Sequence, residues 1–145
     1  MKRYAQSPGT GGKMGTRTQK KILVVDEDLL SIAHISQTLL RGGYVLSHAT
    51  DQQTALKAIK DMKPDLIICN LDGQKLDSRR LVNTVQQIRA FRTIPFLFVV
   101  DSRRDPAQTP DILEPKQYLK RPFTREQLAS AVQERLSPEK QRPIS

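Results

Sequence analysis

Apolar residues along this chain fall into two alternating patterns: short unbroken runs, and longer stretches in which they recur every three or four positions. Ile22-Leu23-Val24-Val25 is an unbroken run, as expected of a strand covered on both faces. Asp26-Glu27-Asp28 ends it. Leu29, Leu30, Ile32, Ala33, Ile35, Leu39 and Leu40 then follow a helical pattern that Gly42-Gly43 stops. Tyr44–Ala49 reads as a short second strand. Thr50 or Asp51 can cap a second helix with Ala55, Leu56, Ala58, Ile59 and Met62 on its apolar face. After Pro64, Leu66-Ile67-Ile68-Cys69 is the third strand, closed by Asn70. A loop with Gly73 leads to a helix from about Ser78 to Phe91, carrying Leu81, Val82, Val85, Ile88 and Phe91. Pro95 opens a fourth strand, Phe96-Leu97-Phe98-Val99-Val100, and Tyr118-Leu119 is a short fifth. Thr124 and Gln127 form a capping-box signature for a last helix with Leu128, Ala131, Val132 and Leu136, stopped by Pro138.

Strands therefore alternate with helices, which predicts an α/β fold: a five-stranded doubly wound parallel sheet with helices on both faces. A domain of this size suits the order 2-1-3-4-5. The stretch 101–116 breaks the scheme. A fourth helix is expected there, yet it holds Pro106, Pro110 and Pro115. Proline costs ~3 kcal/mol in a helix interior, so this helix is expected to be short or distorted. The resulting organisation is a basic, disordered tail over 1–20, a folded domain over 21–137 and a C-terminal tail over 138–145.

The chain has 145 residues and a net charge of +9, and the charge is uneven. Residues 1–21 carry Lys2, Arg3, Lys13, Arg17, Lys20 and Lys21 with no acid, whereas the remainder has a surplus of only three positive charges. The basic character belongs to the tail rather than to a folded face. Nucleic acid or an anionic membrane would be reached only through it. Gly9–Met14 is a poor phosphate-binding loop: Ser7 replaces the first glycine, Met14 replaces the Ser/Thr, and no strand precedes it. No apolar run approaches the ~18 residues that span a bilayer. The single cysteine, Cys69, excludes an internal disulfide and agrees with a reducing, cytoplasmic setting; it reads as a packed core thiol. His34 and His48 read as structural, and no Cys/His cluster has zinc spacing.

In doubly wound sheets the functional crevice lies beyond the carboxyl ends of the strands. Asp26, Glu27, Asn70, Val100 and Arg121 all fall there. Their motifs carry a resemblance. Val24-Val25-Asp26-Glu27, Leu76-Asp77-Ser78, Ile94-Pro95 and Tyr118-Leu119-Lys120-Arg121-Pro122-Phe123 stand at the spacings of the receiver domain of bacterial two-component response regulators. The chain resembles that family over residues 21–136. The resemblance implies a CheY-like fold, a bacterial cytoplasmic protein and a role in signal transduction. It also implies roles at the crevice. The acidic pair holds a divalent cation, an aspartate at the end of the third strand takes a phosphoryl group, a Ser/Thr after the fourth strand hydrogen-bonds that group, and a lysine before a cis-prone proline contacts it.

This chain departs from the pattern at those points. Asn70 stands at the acceptor position, and an amide oxygen is a poor nucleophile. Val100 stands in place of the hydroxyl residue. Arg121 stands in place of the lysine and keeps the charge but not the shape. Ser78 replaces a glycine, and Gln74 a proline. The expectation is a degenerate pseudo-receiver, not an enzyme, that works as a phosphorylation-independent adaptor for a protein partner. Arg121 is expected to pair with Asp26 or Glu27. No cofactor is required, and magnesium would be held weakly at most by Asp26 and Glu27. The resemblance implies an interaction face including Tyr118, Lys120 and Phe123; a homodimer is a further form of partnership. With nine residues following Leu136, the expectation is a stand-alone domain without an output domain. One alternative is phosphorylation at Asp72 or Asp77, which would require magnesium-dependent phosphate on the protein.

Overall fold

The computed structural model describes residues 19–101 and 118–137. The chain alternates β1 (Lys21–Val25), α1 (Leu29–Arg41), β2 (Val45–Ala49), α2 (Gln52–Met62), β3 (Leu66–Asn70), α3 (Ser78–Gln87), β4 (Phe96–Asp101), β5 (Tyr118–Arg121) and α4 (Arg125–Leu136), with a 3₁₀ turn at Arg89–Phe91. The five strands are parallel in the order β2-β1-β3-β4-β5, as the alternation predicts. The expectations for residues 1–18, 102–116 and 138–145 lie outside the described residues. Gln19 and Lys20, grouped with the tail by composition, are already tied to the fold: Gln19 Nε2 donates to the Gly43 carbonyl (2.7 Å), and the Val45 N–H donates to the Lys20 carbonyl (2.9 Å).

The unbroken apolar runs have a direct cause. In β1, Leu23 and Val25 face the layer formed by α2 and α3, while Ile22 and Val24 face the layer formed by α1 and α4. The same division holds in β3 (Ile67 and Cys69 against Leu66 and Ile68) and in β4 (Phe96 and Phe98 against Leu97 and Val99). With both faces covered, the middle of each of these three strands is apolar throughout, and polar residues such as Lys21, Asn70 and Asp101 stand only at their ends. The caps read from sequence are made. The Asp51 side chain accepts from the Thr54 N–H (2.7 Å), and Thr124 and Gln127 bond each other's backbone N–H groups at the start of α4. Gly43 takes φ +84° in the turn before β2, a conformation glycine reaches without a Cβ penalty.

Two expectations need correction. The third helix stops at Gln87, not Phe91. Ile88 turns extended (φ −92°, ψ 113°), and Arg89–Phe91 forms the 3₁₀ turn. Leaving the helix there packs Ile88 and Phe91 against the core, and Arg92 Nε supplies a bond to the Gln86 carbonyl (3.0 Å) that the helix no longer satisfies. The second correction concerns α1. Only Ile32, Ile35 and Leu39 are buried; Leu29, Leu30 and Leu40 are 64%, 81% and 61% exposed. A helix lying on a sheet buries one stripe, and the apolar positions of α1 occupy more than one.

Candidate functional site

The crevice forms because β1, β3, β4 and β5 end side by side. Asn70 is in register with Val99, and Asp101 with Arg121, while Asp26 directly follows β1. Asp26 is buried, at 1% exposure, so its carboxylate needs partners. Its Oδ1 accepts from the Asp28 N–H (3.0 Å) and from Asn70 Nδ2 (3.2 Å). Its Oδ2 lies 3.5 Å from Arg121 Nη2.

Arg121 is the cation of the site. Nη2 also donates to Ser31 Oγ (2.7 Å), and Nη1 donates to Asn70 Oδ1 (3.3 Å). One planar guanidinium thus spans β1, α1 and β3, which a single ammonium nitrogen would not do. The Arg121–Pro122 peptide is cis. Asn70 completes the arrangement. Its amide nitrogen donates to Asp26, and its oxygen accepts from Arg121 and from the Asp72 N–H (3.0 Å). A carboxylate at position 70 would have nothing to donate and would face Asp26 with like charge.

Glu27 is employed elsewhere. Its Oε1 accepts from the N–H groups of Lys75 (2.8 Å) and Leu76 (2.9 Å), and Oε2 from that of Gln74 (3.1 Å). Of the two acids following β1, Arg121 takes Asp26, while Glu27 anchors the loop between β3 and α3. Gly73 permits that approach: a Cβ there would sit 2.8 Å from Glu27 Oε1. The donated bonds, Leu76's foremost, then Lys75's and Gln74's, hold the Glu27 carboxyl below its ordinary value of 4.5. A depressed carboxyl stabilises the fold fully above its unfolded value and loses that contribution as pH falls through the folded one. Stability should therefore fall more steeply below pH 4.5 in the native chain than in Glu27→Gln. Thermal melts across the acid range check this, and parallel curves would contradict it.

The remaining candidates separate. Val100 is buried and apolar, one residue before the end of β4. Asp72, two residues past Asn70, accepts at Oδ2 from the Asp101 N–H and so fastens the loop to the end of β4. Asp77 caps α3 by accepting from the Arg80 N–H (3.1 Å). Lys120 is exposed, whereas Tyr118 and Phe123 are half-buried against opposite layers of the core, Phe123 with its ring 6.2 Å from that of His34. The sequence reading missed two participants, Ser31 and the hydroxyl of Ser78. Ser78 is buried, donates to the Asn70 carbonyl (2.6 Å) and accepts from Cys69 Sγ (3.2 Å). Burial above all pushes the Cys69 thiol up to about 12; Ser78 opposes this and the Asp26 charge adds to it. Such a thiol is inert. Among the described residues no group of three or more His, Cys, Asp or Glu is placed to hold a metal ion, and no helix is long and apolar enough to cross a membrane.

Comparison with known proteins fits this arrangement of strand ends. The sequence profile of the response regulator receiver domain matches residues 22–133. The chain belongs to that family. Receiver domains are signalling modules of two-component systems, and they act through other signalling or regulatory proteins. This receiver domain is 30% identical to Protein PilG of Pseudomonas aeruginosa over 115 residues, covering 77% of this chain and 84% of that one. It is 34% identical over 86 residues to the alkaline phosphatase synthesis transcriptional regulatory protein PhoP of Bacillus subtilis, covering 59% of this chain and 36% of PhoP. It spans only about a third of the length of PhoP and 18% of another relative, the transcriptional regulatory protein ZraR of Klebsiella oxytoca. The fold is shared with the chemotaxis response regulator CheY4 of Vibrio cholerae (TM-score 0.72, 24% identity, 82% of this chain and 100% of that one). It is also shared with the receiver domain of NtrX from Brucella abortus (TM-score 0.64, 22% identity, 79% and 97%).

Proposed function

We propose that this receiver domain is a pseudo-receiver: an interaction module that signals by contact with a protein partner and does not take a phosphoryl group. The observation that carries the reading is the Asn70 amide, which donates to Asp26 while accepting from Arg121 and from the Asp72 N–H. Phosphoryl transfer to a carboxylate needs an anionic oxygen free to attack and a cation to neutralise the phosphoryl oxygens. At position 70 there is no such oxygen.

The residues present do not suit a resident magnesium ion. Magnesium demands hard, anionic oxygen donors in octahedral geometry. Both Glu27 oxygens are engaged by backbone N–H groups, and the Arg121 guanidinium already lies against Asp26 Oδ2. The positive charge that a cation would supply comes from the chain itself. Val100, buried and without a donor, adds that no hydroxyl reports on the pocket from β4. Asp72 and Asp77 already serve as a loop fastener and a helix cap.

The reading is tested by exposing the native chain to a small-molecule phosphodonor with magnesium and weighing it intact. An unchanged mass is expected. An adduct would refute the reading, and its location at Asp72 or Asp77 would identify an unconventional acceptor.

A further inference from the structure

Composition predicts that basic character belongs to the tail; the fold gathers a second share of it on one side of the domain. From Ser78 to Val100 the chain has four arginines, Arg79, Arg80, Arg89 and Arg92, and no acidic residue. All four are exposed. None has an acidic partner among the described residues, whereas Lys57 pairs with Asp61 and Arg121 with Asp26. Between the two arginine pairs, α3 exposes Asn83, Gln86 and Gln87. At 3.6 residues per turn, Arg79, Asn83 and Gln86 form one row and Arg80 and Gln87 the next, away from the buried Leu81, Val82 and Val85. In the same layer, α2 and its C-cap add exposed Lys60 and Lys63. The opposite layer is balanced: α1 with its cap holds Asp28 and Arg41, and α4 holds two arginines and two glutamates.

The chemistry of this face selects among occupants. A protein interface is centred on aromatic and apolar side chains, and a membrane-surface helix buries an apolar face. No large apolar side chain is exposed on α3 or the turn after it. Nucleic-acid interfaces are instead polar and positively charged. Arginine, asparagine and glutamine donate to phosphate oxygens and, in the major groove, bond base edges. The spacing fits as well. Arg79 and Arg89 stand ten residues apart, ~15 Å along the helix and turn, and the major groove of B-DNA is about 12 Å wide. Arginines at the two ends can therefore reach phosphates on either side of the groove, with the carboxamides between them facing the bases. We propose that the outer face of α3 and the turn that follows it is a contact surface for duplex DNA. The contact is mainly electrostatic, so it weakens steeply with salt. It does not involve the Asp26–Asn70–Arg121 crevice, so it stands or falls apart from the state of that site.

Fluorescence anisotropy of a labelled mixed-sequence DNA duplex, titrated with the full chain over a series of salt concentrations, tests the proposal. Two double variants are matched in charge. Arg79→Gln with Arg80→Gln removes two charges from the α3 face; Arg41→Gln with Arg125→Gln removes two from the opposite layer. All four side chains are exposed, so both variants should melt near the parent. The α3 pair should weaken binding roughly tenfold or more and lower the slope of log affinity against log salt by about two. The other pair should leave that slope near the parent's. A chain that does not bind the duplex at low salt would overturn the proposal. So would equal losses in the two double variants, which would reduce the effect to net charge. Binding that survives the α3 pair but is lost with Lys13→Gln and Arg17→Gln would assign the contact to the tail and overturn it as well. Tighter binding to phosphatidylserine vesicles than to the duplex, lost with the α3 pair, would make the occupant a membrane and contradict the assignment to DNA.

Discussion

Arg121→Ala should unfold at a temperature roughly 8 °C lower than the parent, a loss of about 2 kcal/mol. The reason is Asp26. Its side chain is 1% exposed, and among the described residues Arg121 is its cationic partner in the crevice. Removing one member of a fully buried pair costs roughly 3–5 kcal/mol, because the other charge is stranded. Arg121 is 31% exposed, so water can reach part of the vacated space and the expected loss is smaller. Ser31 Oγ and Asn70 Oδ1 also lose a donor each. Two companions separate charge from shape. Arg121→Lys retains the charge but cannot span Asp26, Ser31 and Asn70 together, so its stability should fall between the two. Asp26→Asn combined with Arg121→Ala removes the stranded carboxylate and should recover part of the loss. Chemical denaturation measures all three. An Arg121→Ala chain within about 0.5 kcal/mol of the parent, the range of ordinary surface substitutions, would mean that the ion pair contributes little.

Asn70→Asp is the second large effect, and its sign depends on the cation. Without magnesium, the 3.2 Å bond from Asn70 Nδ2 to Asp26 becomes a contact between two carboxylate oxygens. The variant should lose about 1–3 kcal/mol, moderated by the nearby Arg121. With millimolar magnesium the two carboxylates have a reason to share a hard cation. The melting temperature of the variant should then rise, while that of the native chain stays where it was. Thermal melts of both chains with and without magnesium give the comparison. A variant as stable as the parent in the absence of cation would show that the amide is not fitted to Asp26. A native chain stabilised as much as the variant by magnesium would show that Arg121 does not exclude the ion.

The strands of this fold were legible because burial on both faces leaves no polar positions, so Ile22–Val25 and Leu66–Cys69 appear as unbroken runs. The caps at Asp51 and Thr124 were legible because their bonds are local: donor and acceptor lie three residues apart. Asp26, Asn70 and Arg121 could be brought together on paper because strand ends in a parallel sheet converge. What stayed hidden depends on long-range choices. Glu27 is held by backbone N–H groups 47 to 49 residues away, and backbone groups leave no trace in side-chain identity. The same holds for Asp72 and the Asp101 N–H. Ser31 joins the site only because the first turn of α1 lies beneath the reach of Arg121. Leu29, Leu30 and Leu40 have the composition of core residues, and periodicity does not say which of two apolar stripes a sheet will cover.

Loss of phosphoryl chemistry is tested most directly by intact mass after incubation with acetyl phosphate and magnesium, with the Asn70→Asp variant run alongside. The native chain should gain no phosphoryl mass, whether or not the variant does. A phosphoryl adduct on the native chain would contradict the account, and its position would show which side chain carries the chemistry that Asn70 lacks.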